Sequence, residues 1–273
     1  MTFDAAIALR MVTNSRLRNA QGWCEFRDLG GALCSTSDAP IPELNCLGDF
    51  ATDAHRIEGL LDVGFSLLRM FDCEPAAEVS PLDRPRDVEE RLGRRGLRRH
   101  SARSWMRQRV GAPEISANDE VQVRVVGPDD ARTFASVHGG SERWVRKLST
   151  SSSLTAMHDG GSTFYLGYLD GEPVGTAHLL IDGATAGIYA AGTLRSYRRR
   201  GVCSTLMARA VADAREAGCD VVCLSTDAGG SAEHLYGRLG FETVFESVLW
   251  LMPERREDAP AAKRPRRRPK MKT

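Results

Sequence analysis

The sequence predicts an α/β chain of two related halves, each with a mostly antiparallel sheet flanked by helices. Three observations predict it. Two segments echo each other 144 positions apart: Leu92-Gly93-Arg94-Arg95-Gly96-Leu97 and Tyr236-Gly237-Arg238-Leu239-Gly240-Phe241. Each follows a short strand-like run (77–80 and 221–225). Each precedes a run closing on Trp and Met, at Trp105-Met106 and at Trp250-Leu251-Met252. The shared order, more than the six residues, argues for duplication. Secondly, Asp170-Gly171 and Asp182-Gly183 each join two apolar runs, a strong hairpin signal because both turn residues take positive φ. Thirdly, Ile57, Leu60, Leu61, Phe65 and Leu68 recur at helical spacing, as do Leu206, Ala210, Val211 and Ala214.

The elements follow in order. The first half reads as a helix over 3–20, weak strands over 22–34, a helix over 52–70, a strand over 76–80 and a helix over 86–95. Gly111, Ala112, Pro113 and Asn118 break the periodicity and mark a linker. In the second half 121–126 alternates as a strand should. Pro128-Asp129-Asp130 opens a helix over 130–137. Strands over 163–169, 173–181 and 186–194 are joined by the two Asp-Gly turns. A helix over 201–217, a buried strand over 220–225, a helix over 231–239 and a strand pair over 242–252 close the half. The expected organisation is 1–110, a linker at 111–118, a second domain at 119–254 and a basic tail at 255–273.

Charge sets the tail apart. The chain carries 37 Lys and Arg against 36 Asp and Glu; the last eleven residues hold seven of those bases and no acid. The remainder therefore stands near −6 (30 bases, 36 acids). Such a tail packs into no core; it is either a solubilising end or a segment that touches nucleic acid or acidic membrane lipid. Charge at Asp4, Arg10, Arg16 and Arg18 argues against a leader or membrane span in the first twenty residues. Seven scattered cysteines, odd in number and without a CxxC pair, argue against a disulfide framework or zinc site and for a reducing cytoplasm.

The chemistry concentrates in one stretch: Gly192, Thr193, Leu194, Arg195, Ser196, Tyr197, Arg198, Arg199, Arg200, Gly201, Val202, Cys203, Ser204. It runs from a strand through a cationic turn into a helix. A helix start offers unpaired N–H groups and partial positive charge, which suit a pyrophosphate, and Gly201 lets the backbone approach it. GxxxxGK[ST] and GxGxxG are both missing, so the anion is expected to be held by amides and arginine without a metal.

Here the sequence resembles the GNAT superfamily of N-acetyltransferases. The resemblance rests on Arg198-x-x-Gly201-x-Cys203, set against that family's Gln/Arg-x-x-Gly-x-Gly/Ala, with the strand end Thr193-Leu194 before it and Leu235-Tyr236-x-x-Leu239-Gly240-Phe241 after it. It spans about 121–252. Cys203 departs from the pattern, being larger than Gly or Ala. The resemblance implies acetyl-CoA as cosubstrate, with no metal, and an amine-bearing acceptor, small molecule or protein. It implies that the fourth and fifth strands of the second half splay apart into a cofactor cleft. The pantetheine arm then lies against Gly192, Thr193 and Leu194, and Arg198 to Ser204 hold the pyrophosphate. Tyr236 falls where relatives keep a general acid; its phenol, of pKa about 10, matches an alkyl thiol. The other reading of Tyr236 is a core tyrosine. Relatives often carry a Glu on the fourth strand, and 186–194 has no acid. The general base is left open among His138, Glu142, Asp227 and His178. An Asn that relatives place before the Tyr-bearing helix is Gly229 here. Trp144 falls in the region that covers the acceptor in relatives. Phe164, Tyr165 and Tyr168 read as core and sheet surface. Cys203, at a helix start, is either a small filler or a reactive thiol of lowered pKa.

The first half lacks these parts: Leu92 matches Tyr236, and no arginine cluster precedes its long helix. It resembles the silent half of tandem family members, a degenerate domain that walls the acceptor pocket. No membrane partner is expected, nucleic acid only through the tail, and a monomer or homodimer. The competing function is a non-catalytic relative of the fold that senses acyl-CoA or binds nucleic acid.

Overall fold

The computed structural model describes residues 3–253. The basic tail, with the nucleic-acid role expected of it, lies outside these residues.

The first half contains α1 (Ala5–Ala20), β1 (Glu25–Asp28), β2 (Leu33–Thr36), β3 (Leu47–Gly48), α2 (Ile57–Met70), β4 (Ala76–Val79), α3 (Val88–Arg94) and β5 (Arg98–Gln108). The second contains β6 (Gln122–Val125), α4 (Ala131–Gly139), α5 (Arg143–Asp159), β7 (Ser162–Leu169), β8 (Glu172–Asp182), β9 (Thr185–Thr193), α6 (Val202–Glu216), β10 (Val221–Asp227), α7 (Ser231–Arg238) and β11 (Phe241–Leu251). The units β4–α3–β5 and β10–α7–β11 repeat the same order, as the sequence echo implies.

The strands form one continuous sheet in the order β1-β2-β3-β4-β11-β5-β10-β9-β8-β7-β6. Each half lends its last strand to the other. β5 pairs antiparallel with β10, Trp105 facing Ser225, and β11 pairs antiparallel with β4, Trp250 facing Ala77. β5 and β11 also pair with each other along nearly their whole length. The expected strand pair over 242–252 is therefore one long strand, β11, whose partners lie in the other half. Local alternation cannot reveal this, because a strand's pattern is silent about which strand it pairs with.

Helices cover both faces. On one, α6 packs over β7, β8 and β9, burying Leu206, Met207, Ala210, Val211 and Ala214 against Tyr165, Ala177, Leu179 and Ile188. Under the first half α2 buries Ile57, Leu61, Phe65 and Leu68 against Leu47, Ala77 and Trp250. At roughly 2–5 kcal/mol for truncating one such leucine, these stripes hold each half's layers together. On the opposite face α1 sets Ala8 and Met11 against Trp105, Val221, Cys223 and Phe245. α4 and α5 cover Phe164 and Leu166 there. α5 was not anticipated, because its Ser and Thr run has weak helix propensity. The helix satisfies those hydroxyls by back-bonding: Thr150 Oγ1 donates to the Arg146 carbonyl at 2.8 Å and Ser153 Oγ to that of Thr150 at 3.1 Å.

Candidate active site

The centre of the site is a gap between two parallel strands. β9 and β10 pair only through Val221↔Thr185, Val222↔Ala186 and Cys223↔Gly187. Beyond that point β9 runs on to Thr193 and β10 to Asp227 without pairing to each other. A bulge accompanies the divergence: between the pairs Thr176↔Gly192 and His178↔Tyr189, β9 has two residues opposite one, and Ala190 takes φ 49°. Gly192, Thr193 and Leu194 line the end of β9. The Leu194 amide donates to the Val174 carbonyl at 2.8 Å, so that N–H is committed to the sheet. The Thr193 hydroxyl is buried with no hydrogen-bond partner among the described residues.

From there a 3-10 turn (Arg195–Tyr197) leads to the start of α6. Arg199 at φ 63° and Gly201 at φ 78° bend the chain so that the first N–H groups of α6 emerge together. No acidic residue occupies that first turn. Gly201 has a second constraint: a Cβ there would come within 2.8 Å of Asn118 Cβ. Asn118, from the segment entering the second half, pins the turn by donating from Nδ2 to the Arg200 carbonyl at 2.9 Å and from its amide to Thr205 Oγ1 at 2.8 Å. Sequence reasoning missed Asn118; its only signal was its place at the end of a linker.

The arginines divide their work. Arg200 pairs with Asp170 at 3.0 Å, beside the β7–β8 turn. Arg198 is exposed and donates from Nε to the Thr193 carbonyl at 3.3 Å, which holds it at the strand end. Val202 is buried and packs close to Gly175, so it faces the core and offers only its amide. Ser204 Oγ donates back to the Gly201 carbonyl at 2.9 Å. Cys203 is half-buried, and burial pushes its thiol up to about 11. The reactive-thiol reading of Cys203 therefore fails: desolvation disfavours the thiolate.

Tyr236, on α7, sits on the α6 side of the sheet, edge-on to Phe241 at 6.2 Å and close to Cys203. Burial first, and Cys203 second, push its phenol above the usual tyrosine value, so the hydroxyl keeps its proton. Glu233 fixes the approach to α7 by accepting the Gly229 amide at 2.6 Å and Thr243 Oγ1 at 2.9 Å. Leu92, the first-half counterpart of Tyr236, is fully buried and apolar.

The other face of the gap opens into a cavity of about 360 Å³ between the two halves. Its floor carries residues of five strands, Tyr189, Ser225, Trp105, Phe245 and Glu78; α1 and the loop after it wall one side. Trp105 Nε1 donates to Ser247 Oγ at 2.8 Å, and Ser247 Oγ to Glu78 at 2.6 Å, which links floor strands of both halves. Of the four base candidates, His138 lines this cavity. Burial lowers its pKa to about 4, so its imidazole is neutral near pH 7; Nδ1 lies 3.2 Å from Ser149 Oγ. His178 is buried, stacked on Phe164 at 4.0 Å with Nε2 3.0 Å from Ser162 Oγ. Glu142 precedes α5 and Asp227 ends β10, and neither reaches the cavity. Trp144 does line it. Among the described residues no three His, Cys, Asp or Glu side chains group as a metal site, and no helix is long and apolar enough to cross a membrane.

α1 is the element whose role the sequence hid. Arg10 pairs with Asp220 and donates to Thr185 Oγ1 at 2.9 Å. Asn14, fully buried, donates to the Leu180 and Thr185 carbonyls at 3.3 Å, while Tyr189 donates its hydroxyl to Asn14 Oδ1 at 2.6 Å. The available signal was the polar series Arg10, Asn14, Arg18 at i, i+4 and i+8, one stripe of a helix.

Comparison with known proteins agrees with this geometry. Residues 131–241 match the model of the "Acetyltransferase (GNAT) family". The match runs from the start of α4 to the start of β11. Whole-chain similarity lies with solved structures that share the fold at low identity. A GCN5-related N-acetyltransferase from Kribbella flavida is 19% identical with a TM-score of 0.68, over 90% of this chain and 96% of that one. A GCN5-related N-acetyltransferase from Sphaerobacter thermophilus gives 18% and 0.60, over 86% and 84%. A tandem GNAT protein from the clavulanic acid biosynthesis pathway gives 15% and 0.61, over 88% and 86%. No curated protein sequence matches the chain. The two-half fold is shared with these structures, and the splay expected of the second half is the β9/β10 divergence.

Proposed function

We propose that the chain transfers the acetyl group of acetyl-CoA directly to an amine held in the cavity between the halves. One observation carries this: the β9/β10 gap has a glycine-opened helix start on one face and a partly open cavity on the other. A cosubstrate and an acceptor can therefore meet through the gap from opposite sides. Acetyl-CoA supplies the activated acyl carbon and a thiolate leaving group. The chain does the rest. The first amides of α6, with Arg198 and Arg199, hold the pyrophosphate without a metal. The orphaned Thr193 hydroxyl and the unpaired edge of β9 offer partners to the amide-bearing arm. The bulged strand presents fixed backbone donors where an oxyanion develops. Tyr236 keeps its proton and is the group placed to give it to the departing sulfur, although burial carries its phenol above the match with an alkyl thiol that a free tyrosine has. The neutral His138 imidazole, in the acceptor cavity, is the chain's candidate to take the proton of the amine. The first half binds no cofactor and walls the acceptor. The seven free cysteines fit a reducing compartment such as the cytoplasm.

Calorimetric titration with acetyl-CoA, alongside desulfo-CoA, tests the reading. The expected result is micromolar binding at one site per chain. No binding at millimolar cofactor would sink it, and two sites per chain would overturn the silent first half.

A further inference from the structure

The cavity holds a cation without a counter-ion. Arg18 lies in the last turn of α1, its guanidinium 4.1 Å over the Trp23 ring and 5.6 Å from the Tyr189 ring. Its Nη1 donates to the neighbouring Asn19 Oδ1 at 2.9 Å, and its Nε is buried with no hydrogen-bond partner. No carboxylate pairs with it among the described residues. Arg103 of β5 also lines the cavity, close enough to Arg18 for the two charges to repel, and it too has no ion pair there. The third cavity arginine is different: Arg16 is neutralised by Asp49. Apart from Glu43, which also lines the cavity, the other acids there are engaged. Glu78 accepts from Ser247, and Asp83 accepts the Phe50 and Ser80 amides.

A desolvated, unpaired guanidinium is costly to keep, and the fold keeps one beside the β9 strand that borders the gap. Burial lowers Arg18 to about 10, which leaves it charged at neutral pH. Because a ring covers its face, its N–H edge is what remains to a ligand, and that fork matches a planar carboxylate. We propose that the acceptor is an amine bearing a carboxylate, an amino acid or related aminocarboxylate, and that Arg18, assisted by Arg103, receives the carboxylate and so sets the amine at the gap. This rests on the reading of the cavity as the acceptor site. Trp23, Trp144 and Phe26, with Trp105 on the floor, give the cavity an apolar lining that suits an apolar side chain.

The test uses the full chain and acetylated product analogues: N-acetylglycine, N-acetyl-leucine and N-acetyl-phenylalanine, each against its C-terminal amide. Trp23, in contact with Arg18, reports binding by fluorescence, and acetyl-CoA binding is measured separately. At least one carboxylate should bind tenfold or more tighter than its amide. Arg18→Met should abolish that preference, and Arg18→Lys should retain part of it. Equal binding of acid and amide in all three pairs, or no binding of any, overturns the proposal whatever acetyl-CoA does. A carboxylate preference without acetyl-CoA binding would instead uphold the anion site and defeat the acetyltransferase reading. Should Arg18→Met fail to fold, the acid-against-amide comparison on the unmodified chain still decides.

Discussion

The starts of α2 and α6 occupy corresponding places in the two halves and are built with opposite electrostatics. α6 opens on Gly201 with no acid in its first turn and with Arg198 and Arg199 standing before it. α2 opens on Arg56 and carries Glu58 in its first turn. Glu58 is bound by Arg91 of α3 at 2.9 Å and by Arg95, the residue that follows α3, at 2.6 Å; α3 is the helix equivalent to α7. A carboxylate thus already sits at the positive helix end in the first half, and its charge repels any anion arriving there. In the second half the place is open. The counterparts of Arg91 and Arg95 are Leu235 in α7 and Leu239 just after it, and Leu92 has its counterpart in Tyr236. One scaffold yields a self-satisfied helix start and a vacant one, and the vacant one is where a ligand has something to gain.

The comparison can be broken most strongly at Tyr236. Tyr236→Phe should lower kcat by about 10²–10⁴ with little change in cofactor affinity; an unchanged rate would return Tyr236 to the core. Next comes the cationic turn. Arg198→Glu should weaken acetyl-CoA binding by about tenfold or more, since it imitates the acid of α2. Affinity that does not move would mean the turn is not a pyrophosphate site.

The halves also titrate in opposite senses. Burial raises Asp83, in the first half, to about 6. Its folded pKa lies above its unfolded value, so it adds stability as pH falls from 6 to 4 and loses it as pH rises. Burial lowers His138, in the second half, to about 4. Its contribution is complete above its unfolded pKa of about 6.5 and disappears as pH falls to 4. Each effect is worth up to about 3 kcal/mol, as an upper bound. Melting temperatures from pH 7 to 4 should show the unmodified chain losing ground to His138→Gln as pH drops. Against Asp83→Asn it should gain ground. Parallel curves would refute the assignment. The smallest effect is expected at Glu58→Gln, a half-exposed ion pair worth about 1 kcal/mol or less. It should not create a second cofactor site, because α2 still lacks the arginine turn.

Much of this was legible in the sequence because it is local. The strand–turn–helix at Gly192–Ser204, the two Asp-Gly hairpins and the echo of Leu92 with Tyr236 are short-range patterns. What stayed hidden depends on distant partners. Asn118 reaches Arg200 across 82 positions, and Asn14 reaches Thr185 across 171. The exchange of β5 and β11 is invisible for the same reason. α5 was lost for another, since its hydroxyls are satisfied only once the helix exists. Cys203 stood open between a small filler and a reactive thiol, because a helix start favours the thiolate while burial opposes it, and burial cannot be seen in a single motif.

The lent strands have a consequence for how the chain is made. β4 has no partner on its β11 side until β11 has been synthesised, some 170 residues later. On the ribosome the first half therefore waits, its sheet unfinished, and closes in a late step shared with the second half. The same weave outlasts the covalent link. Cleavage of the backbone anywhere between Gln108 and Gln122 would leave two fragments still laced through each other's sheet, travelling as one particle until the whole fold is undone.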